Sequence, residues 1–302
     1  MNTSAQTYHI PVLVEEVLTY LNPQPNGIYV DCTFGGGGHT RAILLKEPTC
    51  RVIAMDWDLK AFELNGEQLQ EEFGDRLEFV WSNFAQIEQK LKPLALPHID
   101  GILADFGTSQ YQIKSRPGFS FSIDTPLDMR MSPSHQKTTA AMIINHASEK
   151  ELQHIFTVYG EEYKSRHIVD AILKERVKKP FKTTKQLADL LEKITPRAGR
   201  KIHPATKIFQ ALRIAVNHEL EQIEALLPAA LRLLAPGGRL VCISFHSLED
   251  RLVKQYFRER EKEQNSEFVV LTERVVVAGE KELAENPSSR SAKLRAIEKI
   301  KP

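Results

Sequence analysis

The sequence predicts an α/β fold, a doubly wound and mostly parallel Rossmann-like sheet into which a helical segment is inserted. Three observations predict it. In the first third, short apolar runs alternate with helical stretches, as in parallel strands joined by crossover helices and covered on both faces. After Phe106 that rhythm stops, and from Gln112 to Lys207 helical patterns occur without a convincing strand. Beyond Pro236-Gly237-Gly238, a turn signal, an apolar run reads as a strand again.

Taken in order, Ile28 to Thr33 reads as the first strand, Thr40 to Lys46 as the start of a helix and Arg51 to Met55 as the second strand. A helix over Leu59 to Gln70 and strands at Leu77 to Val80 and Ile99 to Phe106 follow. The insert offers helical stretches at Thr138 to Asn145, Glu149 to Tyr159, Tyr163 to Arg176 and Thr184 to Ile194. Pro204, suited to a first helical position, opens a long helix expected to reach Leu227, with a further helical stretch from Pro228 to Leu234. Arg239 to Ser244 is a buried strand, Glu249 to Arg258 a helix, and two β-rich runs, Phe268 to Val277 and Ala292 to Ile297, finish the sheet. The expected division is therefore an α/β domain of residues 1–112 and 208–302 around an inserted helical domain of residues 113–207.

At 302 residues, 42% hydrophobic and 26% charged, the chain is globular, and neither a disordered nor a fibrous class fits. No apolar run approaches the roughly 20 residues that span a bilayer, so a cytoplasmic protein with no membrane association is expected. Cys32, Cys50 and Cys242 are odd in number and widely spaced, which argues against disulfides and a cysteine metal site; the histidines show no metal-ligand spacing either. Net charge is only +1, yet Lys164 to Lys207 holds 13 basic and 4 acidic residues. That local excess of nine leaves the remainder at −8, and a basic segment on an acidic protein suits a polyanion such as nucleic acid. A solvated, lysine-rich pair of helices accounts for the same charge.

Asp31-Cys32-Thr33-Phe34-Gly35-Gly36-Gly37-Gly38-His39 joins the first strand to the first helix, where glycines let backbone approach a ligand. A dinucleotide fingerprint beginning at Gly35 or Gly36 needs a glycine where Thr40 or Arg41 stands, so a nucleotide-like ligand without a pyrophosphate fits better. Asp56, closing the second strand, is placed to accept from ribose hydroxyls, while Asp58 reads first as a helix cap. Phe84, past the third strand, is a candidate for an adenine pocket or for the core. With Asp31, Asp56 and Asp105 at strand ends along one sheet edge, the pattern points to S-adenosylmethionine rather than a phosphate ligand.

Longer motifs sharpen this. Asp31 to His39, Asp100-Gly101-Ile102-Leu103-Ala104-Asp105, Gly118-Phe119-Ser120-Phe121, Pro126-Leu127-Asp128-Met129-Arg130-Met131, His203-Pro204-Ala205-Thr206, Phe209 to Arg213 and Ile243 to Arg251 together resemble the bacterial small-subunit (16S) rRNA cytidine N4-methyltransferase family. The resemblance runs from His9 to Ser291, nearly the whole chain. It implies transfer of a methyl group from S-adenosylmethionine to the exocyclic N4 of a decoding-centre cytidine, on 16S rRNA in the small ribosomal subunit or its precursor. By motif it also implies cofactor contacts from Gly37, Gly38, His39, Asp56, Phe84, Asp105 and Gln112. Around Gln112 the chain departs from the family pattern, and Gln110 is a neighbouring alternative.

A cytosine amino group has its lone pair delocalised into the ring, so acceptors must hold its N–H groups and orient the nitrogen. Asp105 is the leading acceptor, with Asn217, His218 and His246 as candidates for the second; Ser247 to Asp250 also reads as a capping box that begins a helix at His246's side. Arg116, Arg130, Arg197, Arg200 and Lys201 are placed to grip phosphates and Phe119 to stack on a base, with turn and core packing as their plainer roles. Three alternatives stay open: a methyltransferase acting on another RNA or DNA amino group, a nicotinamide oxidoreductase on the same framework, and a non-catalytic RNA-binding protein. Monomer and homodimer are equally compatible with the sequence.

Overall fold

The computed structural model describes residues 11–108, 112–113, 116–196 and 203–300. The chain divides into an α/β unit, Met1–Ser109 with Leu220–Pro302, and a helical unit, Gln110–Glu219.

In the α/β unit the strands are β1 (Ile28–Asp31), β2 (Arg51–Asp56), β3 (Leu77–Trp81), β4 (Gly101–Asp105), β5 (Arg239–Ser244), β6 (Phe268–Val270) and β7 (Lys293–Lys299). They form one sheet in the order β3-β2-β1-β4-β5-β7-β6. β3 to β5 pair in parallel, whereas β7 pairs antiparallel with both β5 and β6. The chain winds outward from β1 to β3, then returns to place β4 on the other side of β1, with Asp31 level with Ala54 and with Leu103. That reversal opens a crevice at the carboxyl ends of β1 and β4.

Alternate strand residues feed two cores. Val30, Ile53, Ile102 and Leu240 face one layer with α4 (Ile87–Leu91), α10 (Glu219–Leu233) and α11 (Ser247–Lys262). Tyr29, Val52, Leu103 and Val241 face the other, with α1 (Val14–Leu21), α2 (Gly38–Lys46) and α3 (Leu59–Phe73). Helix α10 runs through Pro228 without breaking, because burial of Ile223, Leu226, Leu227, Ala230 and Leu231 outweighs one missing backbone hydrogen bond. The expected strand over Phe268 to Val277 is shorter. Thr272 Oγ1 accepts from Ala296 N (3.0 Å), so a side chain replaces the ladder there and only an isolated bridge at Val276 follows.

The helical unit holds α5 (Ala140–His146), α6 (Glu149–His154), α7 (Ser165–Lys178), α8 (Thr184–Ile194) and α9 (Ala205–Asn217), with a π-helical turn over Ile155–Tyr159. Ser148 with Glu151 and Thr183 with Gln186 form capping boxes that start α6 and α8. Leu152, Phe156, Ile168, Ile172, Leu187, Ile208 and Leu212 share its core. Because α9 packs into that core, the unit extends to Glu219 rather than ending at Lys207. The long helix expected from Pro204 to Leu227 is also corrected: His218 adopts a left-handed conformation (φ 51°) and ends α9. Across this break Arg213 holds Glu219 in a two-pronged ion pair, both distances 2.9 Å.

Candidate active site

Asp56, Asp31 and Asp105 end the adjacent strands β2, β1 and β4, so one sheet edge gathers three carboxylates. The glycine turn between β1 and α2 is clipped to that edge by backbone. Cys32 N donates to Leu103 O (2.8 Å) and Phe34 N to Met55 O (2.8 Å). Gly35 N donates to Asp56 Oδ2 (2.9 Å), and Asn65 Nδ2 supports Gly35 O from below (3.2 Å). Gly35 and Gly37 both need positive φ, 52° and 73°. A Cβ on Gly37 would lie 2.2 Å from Leu69 Cδ1 and one on Gly38 2.7 Å from Pro11 Cγ, so protein fills both positions and only their backbone groups remain for a ligand. At Gly35 the same atom would meet nothing nearer than Thr33 O at 3.8 Å, which marks the open side of the turn.

The three acids differ in what holds them. Asp31 is fully buried and accepts from Thr40 Oγ1 (2.7 Å) and Thr33 N (3.1 Å), which anchors α2 to β1. Burial raises its pKa, with the charge of His39 opposing. Among the described residues Asp56 accepts from the backbone donors Gly35 N and Asp58 N (2.8 Å), and burial pushes its carboxyl up to about 7. Asp105 has its backbone N–H tied to Thr33 Oγ1 (2.8 Å) and a weak contact from Gly107 N (3.3 Å) at Oδ1. Its Oδ2 lies 3.7 Å from His39 Nε2, too far for a hydrogen bond.

His39 is the telling residue. It is 6% exposed, and neither ring nitrogen has a hydrogen-bond partner among the described residues. Buried polar groups are nearly always satisfied, which sets this imidazole, facing Asp105 beside the glycine turn, apart. Phe84 lies just beyond β3, half-buried, with its ring 5.9 Å from that of Phe106. The edge thus brings together an open backbone turn, the Asp56 carboxylate and the buried His39 beside Asp105, while Phe84 packs against the core beyond β3. Thr33 and Asn65, which fix these groups, escaped the sequence reading; Thr33's place directly after a strand-ending Asp-Cys was the available signal, and Asn65 in mid-helix offers none.

Two acceptor candidates resolve differently from expectation. Asn217 is completely buried in the helical unit, donating to Met129 O and Arg213 O (both 2.8 Å) and accepting from Met131 N and Gln136 Nε2 (both 2.9 Å). Its amide is fully engaged within the helical unit. His246 is the N-cap of α11: its Nδ1 accepts from Glu249 N (3.4 Å), and the Glu249 carboxylate accepts from Phe245 N (2.7 Å) and His246 N (3.3 Å). The capping box therefore begins at His246, one residue before the expected Ser247, and the ring serves the helix end; its Nε2 stands 3.1 Å from Glu249 Oε1.

In the helical unit, Arg130 grips Asp128 through both carboxylate oxygens (2.7 Å each) and Gln136 O (3.1 Å), so it braces its own loop rather than standing free for phosphate. Burial opposes ionisation of Asp128, but Arg130's hydrogen bonds and charge hold its carboxyl below the ordinary value. Arg116 adds favourable charge to Asp128, and its backbone N–H donates to Gln112 O (3.0 Å). Gln112 is buried and Phe119 half-buried. Gln110, Arg197, Arg200 and Lys201 lie outside the described residues.

A sheet wound out from β1 and back to β4, with a glycine turn after β1 and acids closing β1, β2 and β4, places the chain in the class of Rossmann-like methyltransferases. More particularly, the chain belongs to the MraW methylase family, whose model matches residues 6–300. Its relatives include ribosomal RNA small subunit methyltransferase H of Desulfotalea psychrophila, 47% identical over 98% of this chain and 99% of that protein. The proteins of the same description from Geobacter sulfurreducens (46%, covering 97% and 99%) and Carboxydothermus hydrogenoformans (44%, covering 97% and 98%) are similar over comparable spans.

Proposed function

We propose that this enzyme methylates small-subunit ribosomal RNA, at the exocyclic N4 of a cytidine in the decoding centre, with S-adenosylmethionine as donor. The observation that supports the donor site is the buried His39, unsatisfied and facing Asp105 where the strand order reverses. When bound, S-adenosylmethionine supplies a methyl group carried on a sulfonium. Asp56 receives the ribose hydroxyls, the open face of the Gly35 turn and the backbone of Gly37 and Gly38 line the middle of the site, and Phe84 walls the adenine. His39 and Asp105, with Gln112 following from the family resemblance, serve the methionyl side.

Asp105 also faces the chemistry. Its carboxylate accepts an N–H of the target amine, which turns the nitrogen toward the methyl group, and it holds the proton the amine gives up. Asp105 is the leading acceptor, and His246, whose Nδ1 caps its helix while its Nε2 has no hydrogen-bond partner among the described residues, is the candidate for the second. Exposed Lys174, Lys179, Lys182 and Lys193 give the helical unit a cationic surface for phosphate. No helix among the described residues is long and apolar enough to cross a membrane, in keeping with a cytoplasmic enzyme acting on the ribosomal subunit or its precursor.

The direct test is mass spectrometry of small-subunit rRNA from cells with and without the gene. A cytidine that is about 14 mass units lighter only in the gene's absence, and regains them with purified enzyme and S-adenosylmethionine, is expected. Identical rRNA from both strains overturns the substrate.

A further inference from the structure

Tyr163 is 97% exposed, an unusual position for an aromatic ring that would ordinarily bury much of its area. It is not presented by a loose loop. Between the π-helical turn and α7, Glu162 N donates to Phe156 O (3.1 Å) and Ser165 N to Glu162 O (3.2 Å). Gly160 is seated so closely that a Cβ there would lie 2.7 Å from Phe156 O and 3.1 Å from Lys207 O. Lys207 Nζ donates to Glu161 O (2.8 Å) and sits 5.6 Å from the centre of the Tyr163 ring, so a fixed cation backs one side of the phenol while the rest stands in solvent.

The surroundings are cationic. Lys164 and Arg166 are exposed on either side of Ser165, and neither has a carboxylate partner among the described residues. The nearest acid in sequence, Glu162, turns its carboxylate back to Lys164 N (2.9 Å). An exposed aromatic face on a fixed loop, with one cation against it and further basic residues following it in the chain, is an arrangement that binds an unstacked nucleobase: the ring stacks on the base while the cations meet the flanking phosphates. We infer that Tyr163 is a stacking platform for a nucleobase of the RNA substrate, with Lys164 and Arg166 contacting the backbone beside it. This rests on the rRNA reading above and adds a specific contact on the helical unit.

The test uses the full-length enzyme, S-adenosylmethionine, and two substrates: small ribosomal subunits from a strain lacking the gene and an unmodified small-subunit rRNA transcript. Tyr163→Ala should raise KM for the better substrate by roughly 5- to 100-fold, the range for removing one base stack, with kcat, cofactor affinity and melting temperature nearly unchanged. Tyr163→Phe and Tyr163→Trp should restore KM, because stacking needs a ring and not the hydroxyl. Replacing Lys164 and Arg166 by Ala should flatten the salt dependence of RNA affinity, which Tyr163→Ala should leave alone. A Tyr163→Ala enzyme with wild-type KM, or a Tyr163→Leu enzyme as good as Tyr163→Phe, overturns the platform. Failure of the wild type to methylate either substrate overturns the rRNA reading itself and the platform with it.

Discussion

The two units treat their polar side chains in opposite ways. In the helical unit Asn217, Arg130 and Arg213 bind backbone or carboxylate within the unit. At the carboxyl edge of the sheet, among the described residues, the half-buried Asp56 accepts from the backbone of Gly35 and Asp58, the Asp105 carboxylate has a 3.3 Å contact from Gly107 N, and His39 has no hydrogen-bond partner. Leaving such groups unsatisfied costs stability, and a fold retains that cost where a ligand later offsets it. Thr195 Oγ1 in the helical unit and His246 Nε2 are likewise buried without a hydrogen-bond partner among the described residues, so His39 is set apart by having both ring nitrogens unsatisfied.

The comparison breaks most readily at Asp105. Asp105→Ala should lower the rate of methyl transfer by about 10²- to 10⁴-fold while shifting the melting temperature little, since its carboxylate serves few internal partners. Activity that declines only in proportion to folding would make Asp105 structural. Asn217→Ala should do the reverse. It removes the acceptor of Met131 N, one of two acceptors of Gln136 Nε2 and a donor to each of two carbonyls in a buried place, so a stability loss of roughly 2–4 kcal/mol is expected in chemical denaturation. Single-turnover rates of the folded fraction should stay near wild type.

Asp56 sharpens the contrast through pH. Its folded-state pKa, about 7, lies above the roughly 3.9 of an unfolded Asp, so the folded protein keeps a proton that the unfolded chain has released. This contribution to stability is present at low pH and lost as pH rises from about 4 to 7. Ribose hydroxyls favour the ionised carboxylate, so cofactor affinity should climb up to tenfold per pH unit below about 7 and level off above it. Calorimetry across that range should show the climb in the wild type and a flat profile in Asp56→Asn; equal slopes in both would remove Asp56 from the site. At the top of the range Asp56→Ala should weaken binding by about 1.5–3 kcal/mol.

The smallest effect concerns the cationic surface. Exposed Lys174, Lys179 and Lys182 replaced together by Ala should reduce the slope of log affinity against log salt by about 0.7 for each phosphate no longer neutralised, read by RNA titration at several salt concentrations. Parallel lines of equal affinity would assign these lysines to solvation. Arg176 and Lys207, counted in the same basic segment, are excluded from that set because they donate to the carbonyls of Ile144 and Ala147 and of Glu161.

Much of the site was legible because it is local. Apolar runs ending in Asp31, Asp56 and Asp105 define strands and their carboxyl ends, and the glycines between Phe34 and His39 define the turn that must lie among them. That β2, β1 and β4 are neighbours is seen in the sheet order itself, β3-β2-β1-β4-β5-β7-β6. What the sequence by itself determined was thus the parallel strands, their carboxyl ends and the acids upon them, each set by residues within one element of one another.

Only the tertiary structure decided which polar groups remain available. Asn217 and His246 look alike in sequence as acceptors near strand and helix ends. Yet Asn217 is claimed by Met131, 86 residues away, while His246 is claimed by its own helix end through Glu249. The break at His218 likewise goes with Asn217's side chain turning back to Arg213 O and the ion pair that spans to Glu219. His39 stands out because no described residue, near or far in sequence, hydrogen-bonds its ring. A hydrogen bond needs a partner within about 3 Å and in line, and that condition is met or missed only once the chain has closed on itself.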